Sequence, residues 1–228
     1  MDIQVWSDVM CPWCYIGKRR LEKALAEFPG QVTVTFRAYQ LDSRPIAPPT
    51  TQDGTEGLSP VPRPLPIKRA MAEKFGGPAR AEQMFAHVTA VAAGDGLTLN
   101  FDRAIAANTF DAHRLIAWAA GQGRQAEMVD ALQHAHFTEG VDLGSRSALA
   151  RVAAAIGLDE AAAVAYLESN AGTSAVVADL TEARELGISS VPTFVIDGKY
   201  AVQGAQEPAT LIAALAEITR REALDAGR

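Results

Sequence analysis

Both cysteines of the chain lie in one short stretch, Cys11-Pro12-Trp13-Cys14. So close a pair can be a structural crosslink, half of a metal site or a reactive dithiol. A disulfide over two intervening residues closes a very short loop and removes little entropy from the unfolded chain, which disfavours a purely structural bond. A tetrahedral zinc site needs two further Cys or His ligands. The sequence has no second CxxC, and His134 and His136, two positions apart, point away from each other on a helix, so no metal is expected. The reactive reading has a mechanism. Only a thiolate attacks a disulfide, and the unpaired N–H groups and dipole at a helix N-terminus favour the thiolate. Cys11 stands just before the first turn of a helix, Pro12 fits the first helical position, and three residues on the helix returns Cys14 within reach of Cys11. Cys11 is therefore expected to attack and Cys14 to resolve the mixed disulfide. Pro12 and Trp13 between the sulfurs carry no charge, so activation is assigned to the helix terminus rather than to a cationic neighbour.

Three elements must position this pair. "DIQVWSD" has the branched and aromatic content of a short buried strand and runs directly into the motif. Tyr15, Ile16, Leu21, Leu25 and Phe28 then recur at near-helical spacing until Pro29-Gly30, which predicts a helix over 12–27. "QVTVTFRAYQL" alternates as a second strand, so the chain opens β-α-β. From Ser43 to Pro66 the sequence is rich in Pro, Gly, Ser and Thr and reads as a long functional loop. From there to Leu186 every segment is helical in pattern, about six helices punctuated by glycines, with Ser145, Asp159 and Thr173 as candidate N-caps. "TFVI" and "YAVQ" are strands joined through Asp197-Gly198, a hairpin signal because the turn requires positive φ, and Glu207-Pro208 opens a last helix. The fold class is thus α/β, with β-α-β and β-β-α halves of one sheet interrupted by an all-α module. The boundaries are 1–42 and 187–228 for the interrupted domain, 43–65 for the loop and 66–186 for the insertion.

Composition limits the partners. With 48% hydrophobic and 21% charged residues the chain is ordinary for a globular protein. A net charge of −6 argues against a phosphate-backbone partner, and Lys18-Arg19-Arg20 and Arg220-Arg221 read as solvated helix faces, so no nucleic acid is expected. "MDIQVWSDVM" has no basic n-region or apolar stretch of leader length, and nothing later approaches a membrane span. The expectation is a soluble, cytoplasmic protein without a membrane partner.

A CxxC where a strand becomes a helix in a β-α-β unit is the thioredoxin-like signature. It is joined here by "SSVPTFVI", and the order of "CPWCYIGKRRLEKAL", "ANTFDAHRLIAWA" and "VPTFVIDGKYAVQGAQ" resembles the DsbA-like thioredoxin family over nearly the whole chain, within it the FrnE-like thiol oxidoreductases. The resemblance implies a thioredoxin-like fold, dithiol–disulfide exchange at Cys11 and Cys14, no bound cofactor, and protein thiols or glutathione as redox partners; a homodimer is compatible with it. It also makes Pro192 a cis-proline against the motif and Val191 the residue whose backbone docks an extended substrate. Pro12 and Trp13 complete that substrate-contacting set. In "ANTFDAHRL", Asn108 or Thr109 caps a helix with Phe110, Leu115 and Trp118 on its apolar face, and the simplest reading of His113 is a partly buried helix residue. The family reading brings Asn108 and His113 near the cleft over the cysteines, where they would bind substrate without being catalytic.

Two alternatives come from other functions. Kappa-class glutathione transferases and 2-hydroxychromene-2-carboxylate isomerases share the inserted helical module, but typically carry Ser where Cys11 stands and a Ser-Asp pair where this chain has Ala205-Gln206. A non-catalytic binding or chaperone module using the Pro-rich loop would keep its activity after Cys11→Ser.

Overall fold

The computed structural model describes residues 1–42 and 65–226. A four-stranded sheet of order β2-β1-β5-β6 holds the two halves of the chain together. Its centre is β1 (Asp2–Ser7), parallel to β2 (Thr33–Ala38) through the crossover helix α1 (Pro12–Glu27). On its other side β1 runs antiparallel to β5 (Thr193–Ile196), which turns into β6 (Tyr200–Gln203). The final helix, α9 (Pro208–Ala226), closes the β-β-α half.

The period-2 pattern of β1 explains how the sheet is covered. Ile3 and Val5 face Phe194 and Ile196 in a core that takes Leu21 and Ala24 from α1 and Leu211 and Leu215 from α9. Trp6 points the other way, into a smaller cluster with Val195, Ala183 and Ile188. At the β5–β6 turn both Asp197 (φ 50°) and Gly198 (φ 65°) adopt the left-handed conformation expected of Asp-Gly. The Asp197 carboxylate also accepts the Asp2 N–H at 2.7 Å, tying the turn to the start of β1.

Between the halves lie α2 (Ile67–Phe75), α3 (Pro78–Gly94), α4 (Phe110–Ala120), α5 (Gln125–His134), a π-helical turn (Ala135–Glu139), α6 (Arg146–Ala155), α7 (Glu160–Glu168) and α8 (Thr173–Glu185). This differs from the expected wholly helical insertion of about six helices. Among the described residues of the insertion there are seven α-helices, and β3 (Leu65–Pro66) pairs antiparallel with β4 (Ile105–Ala106). Strands of two residues carry no periodicity, so a hydrophobic pattern cannot announce them. The Pro-rich loop expectation falls on residues 43–64, outside the described residues, and Leu65 and Pro66 belong to β3.

Ser145 and Asp159 cap α6 and α7, accepting the Ala148 and Ala162 N–H groups. Thr173 does not cap α8. Gly172 holds that position at φ 74°, and Thr173 is the first helical residue. The insertion also seals one sheet edge. The Gln125 amide bonds both the N–H and the C=O of Phe36, and Asp179 accepts the Ala38 N–H, which removes donors and acceptors that would otherwise invite another strand. A second core of Met10, Tyr15, Ile16, Phe85, Phe101 and Phe137 joins the start of α1 to the insertion.

Candidate active site

Cys11 occupies the N-cap of α1 in an extended conformation (φ −92°, ψ 115°), with Pro12 following in the first turn. Its N–H donates to the Asp8 carbonyl at 3.0 Å, and its own carbonyl accepts Cys14 N at 3.0 Å and Tyr15 N at 3.3 Å. Backbone bonds thus close the strand-to-helix turn at Cys11 itself. Both cysteines are free thiols and both are buried. The Cys11 thiol donates to the Val191 carbonyl at 3.8 Å, which brings the two ends of the chain together. Burial pushes the Cys14 thiol well above the ordinary range, and the Cys11 sulfur, through a hydrogen bond and its charge, pushes the same way. The two positions of the motif therefore have distinct environments. Cys11 sits at a helix terminus against a carbonyl edge, whereas Cys14 is held as a thiol.

The Val191–Pro192 peptide bond is cis. Pro192 packs on α1 where the side chain of residue 17 is only a hydrogen: a β-carbon on Gly17 would stand 2.7 Å from Pro192 Cγ. The Pro192 carbonyl accepts Gly204 N at 2.8 Å, so the hairpin exit supports it from behind. Cys11, Cys14, Val191 and Pro192 are thus brought together. Pro12 and Trp13 are half-buried, and with Met10 and Cys11 they line a cleft of about 610 Å³ whose other walls are Leu41 and Asp42 and residues of α2 and α3, including Met71, Met84 and Phe85. Trp13 meets His87 of α3 at a ring distance of 5.8 Å.

Asn108 and His113 have other surroundings. Asn108 Oδ1 accepts the Phe110 N–H at 2.9 Å and the Gln40 side-chain amide at 3.1 Å. Thr109, at the N-cap of α4, makes no side-chain cap bond. His113 is buried, with Nε2 at 3.0 Å from the Tyr39 carbonyl and 3.7 Å from Asp8 Oδ1.

Sequence reading missed Asp8, and it weighed His136 only as a metal ligand. Asp8 is fully buried three residues before Cys11, and its carboxylate accepts Met10 N at 3.3 Å and Leu41 N at 2.8 Å. The available signal was a lone acid between an apolar strand and the motif. His136, on the π-helical turn, is also fully buried, and neither ring nitrogen finds a protein partner. Burial lowers its pKa to about 4, against a small opposing effect of the Asp8 charge. Among the described residues no group of three or more His, Cys, Asp or Glu side chains is placed to hold a metal, and no helix is long and apolar enough to cross a membrane.

Comparison with known proteins gives a consistent picture. The profile of the DSBA-like thioredoxin domain matches residues 2–216. A search of curated proteins finds no match. Among solved structures, a probable DsbA oxidoreductase from Streptomyces coelicolor is 34% identical, with 95% of this chain and 89% of that one covered and a TM-score of 0.81. A 2-hydroxychromene-2-carboxylate isomerase shares the fold at 19% identity, with 98% of each chain covered and a TM-score of 0.67. The cytosolic disulfide reductase DsbM from Pseudomonas aeruginosa, also solved with glutathione, shares it at 20% identity, with 96% of this chain and 99% of that one covered and a TM-score of 0.61.

Proposed function

Because the chain belongs to the family of DsbA-like thioredoxin domains, we propose that it is a thiol–disulfide oxidoreductase of the FrnE-like kind that works through Cys11 and Cys14. The observation that carries this reading is the placement of the Cys11 sulfur at the N-cap of α1, in contact with the Val191 carbonyl beside Pro192. We read 1–42 and 187–228 as the thioredoxin-like unit and 66–186 as its insertion, with the protein acting in the cytoplasm.

In the reducing direction the Cys11 thiolate attacks a substrate disulfide. A Cys11–substrate bond forms, the substrate S–S bond breaks, and the departing sulfur leaves as a thiolate that takes up a proton. Cys14 then loses its proton and attacks Cys11, forming the Cys11–Cys14 disulfide and expelling the second substrate thiolate. The oxidising direction runs the same steps backwards, and the couple's potential relative to the compartment selects between them. The backbone at Val191 aligns an extended substrate, while Pro12, Trp13 and Pro192 shape its approach. Substrates are protein disulfides, with glutathione as a redox partner, a role consistent with the glutathione-bound form of the Pseudomonas reductase.

A redox titration in glutathione buffers, followed by tryptophan fluorescence through Trp13, tests this. A reversible two-electron transition that disappears in Cys11→Ser is expected. Tight glutathione binding without an intramolecular disulfide would instead favour a glutathione-dependent isomerase or transferase. Activity that survives Cys11→Ser would leave a binding module.

A further inference from the structure

Beside the dithiol stands a buried polar junction that the exchange steps leave unused. One Asp8 carboxylate oxygen accepts the N–H of Met10, the residue before Cys11, at 3.3 Å, and the other accepts the N–H of Leu41 at 2.8 Å. Leu41 and Asp42 line the cleft. The preceding residues are pinned in turn. The His113 imidazole donates to the Tyr39 carbonyl at 3.0 Å, and Asn108 accepts from the Gln40 side chain at 3.1 Å. Three successive residues, 39 to 41, are thus each held by a different side chain. The stretch that carries Asn108 also anchors the opposite wall, since β4 pairs with β3 at the foot of α2, and Ala107 N donates to Met10 Sδ at 3.4 Å. A fully buried carboxylate is costly for packing alone, and filling its hydrogen bonds only offsets that cost.

We propose that Asp8 is a positioning residue that fixes the cleft wall relative to the Cys11 sulfur, with His113 and Asn108 holding the wall to it, and that this clamp selects extended polypeptide disulfides over small ones. This rests on the reading of Cys11 and Val191 given above. A small disulfide needs only the Cys11 sulfur. A peptide spanning from the Val191 edge into the cleft also needs Leu41 and Asp42 at a fixed separation from it.

The test compares turnover, with reduced glutathione as the electron donor that regenerates the dithiol and the uncatalysed rate subtracted, of a disulfide-bonded peptide with apolar flanking residues and of the small aromatic disulfide of thionitrobenzoate. The full chain is assayed as wild type and as Asp8→Asn, His113→Ala and Asn108→Ala, with Asn108→Asp as the conservative rescue. The His113 and Asn108 variants leave the Asp8 charge in place, which separates positioning from electrostatics. Each of the three disruptive variants is expected to raise KM for the peptide about five- to tenfold, while in His113→Ala and Asn108→Ala, which keep the Asp8 charge, kcat and the small-disulfide rate stay within about twofold, and Asn108→Asp is expected to restore KM. Parallel losses on both substrates, or an unchanged peptide KM, would overturn the proposal. Hydrogen exchange supplies a readout independent of activity. Asn keeps one acceptor oxygen in place of two, so in Asp8→Asn at least one of the Met10 and Leu41 amides is expected to exchange at least about tenfold faster relative to Tyr39 N, which bonds the Ser7 carbonyl. Unchanged exchange would overturn the clamp. A wild type that turns over neither substrate would sink the thiol–disulfide reading and the selectivity with it, while the exchange measurement still decides the clamp.

Discussion

Gly17 and Pro192, far apart in sequence, are in such close contact that a β-carbon on Gly17 would lie 2.7 Å from Pro192 Cγ. The proline ring is closed onto its own backbone nitrogen and cannot swing aside as a flexible side chain would. Gly17→Ala would ordinarily stabilise a helix interior by about 1 kcal/mol. Here overpacking is expected to outweigh that gain, for a net loss of about 1 to 2 kcal/mol in urea unfolding. A variant as stable as wild type would show that Pro192 can move away from α1 freely.

Cys14 is expected to remain a thiol above the ordinary range of about 8.5, because burial, and then Cys11, push its pKa upward. Thiolate absorbance in Cys11→Ser isolates it. With the Cys11 charge gone the shift should shrink but keep its direction, since burial remains. Adding Asp8→Asn should lower the pKa further, because the Asp8 charge opposes the thiolate. An ordinary titration in Cys11→Ser would contradict the burial argument.

His136 makes the fold acid-sensitive. The unfolded imidazole takes a proton near pH 6.5, whereas the buried one resists until about 4, so between those values the unfolded state binds more protons and stability rises with pH. The shift corresponds to about 3 kcal/mol, lost as the pH falls from 6.5 to 4. His136→Gln should flatten the profile in that window. Parallel wild-type and variant profiles would remove His136 as the cause.

Asp95 acts at lower pH. Burial alone would raise its carboxyl, but hydrogen bonds from Lys23 and Arg20 outweigh that and hold the pKa below the ordinary value. Its contribution is complete above the unfolded pKa of about 3.9 and is lost as the pH falls through the lower folded value. Asp95→Asn strips the buried Arg20 of its nearest carboxylate, and Glu207 remains as its second. A loss of about 3 kcal/mol at neutral pH, the low end for a broken buried pair, is expected in chemical denaturation. A loss no larger at pH 7 than at pH 3 would exclude the charge as its source.

The sequence by itself determined the local elements and the placing of both cysteines where a strand becomes a helix. Strand alternation in "DIQVWSD", helical spacing after Pro12 and the Asp-Gly turn are short-range signals set by backbone and side-chain sterics, and α1 spans 12–27 as its periodicity predicts. The family pattern was legible for the same reason, since its motifs are contiguous. Tertiary structure alone decided what lies beside the sulfurs. Asp8 is an unremarked acid in the sequence and becomes a junction only when Leu41 and His113 fold onto it. Gly17 gains its meaning only once Pro192 arrives from the other end of the chain. The β3–β4 ladder and the burial of His136 likewise depend on segments distant in sequence. Burial, and the pKa shifts that follow from it, are properties of packed neighbours rather than of residue order.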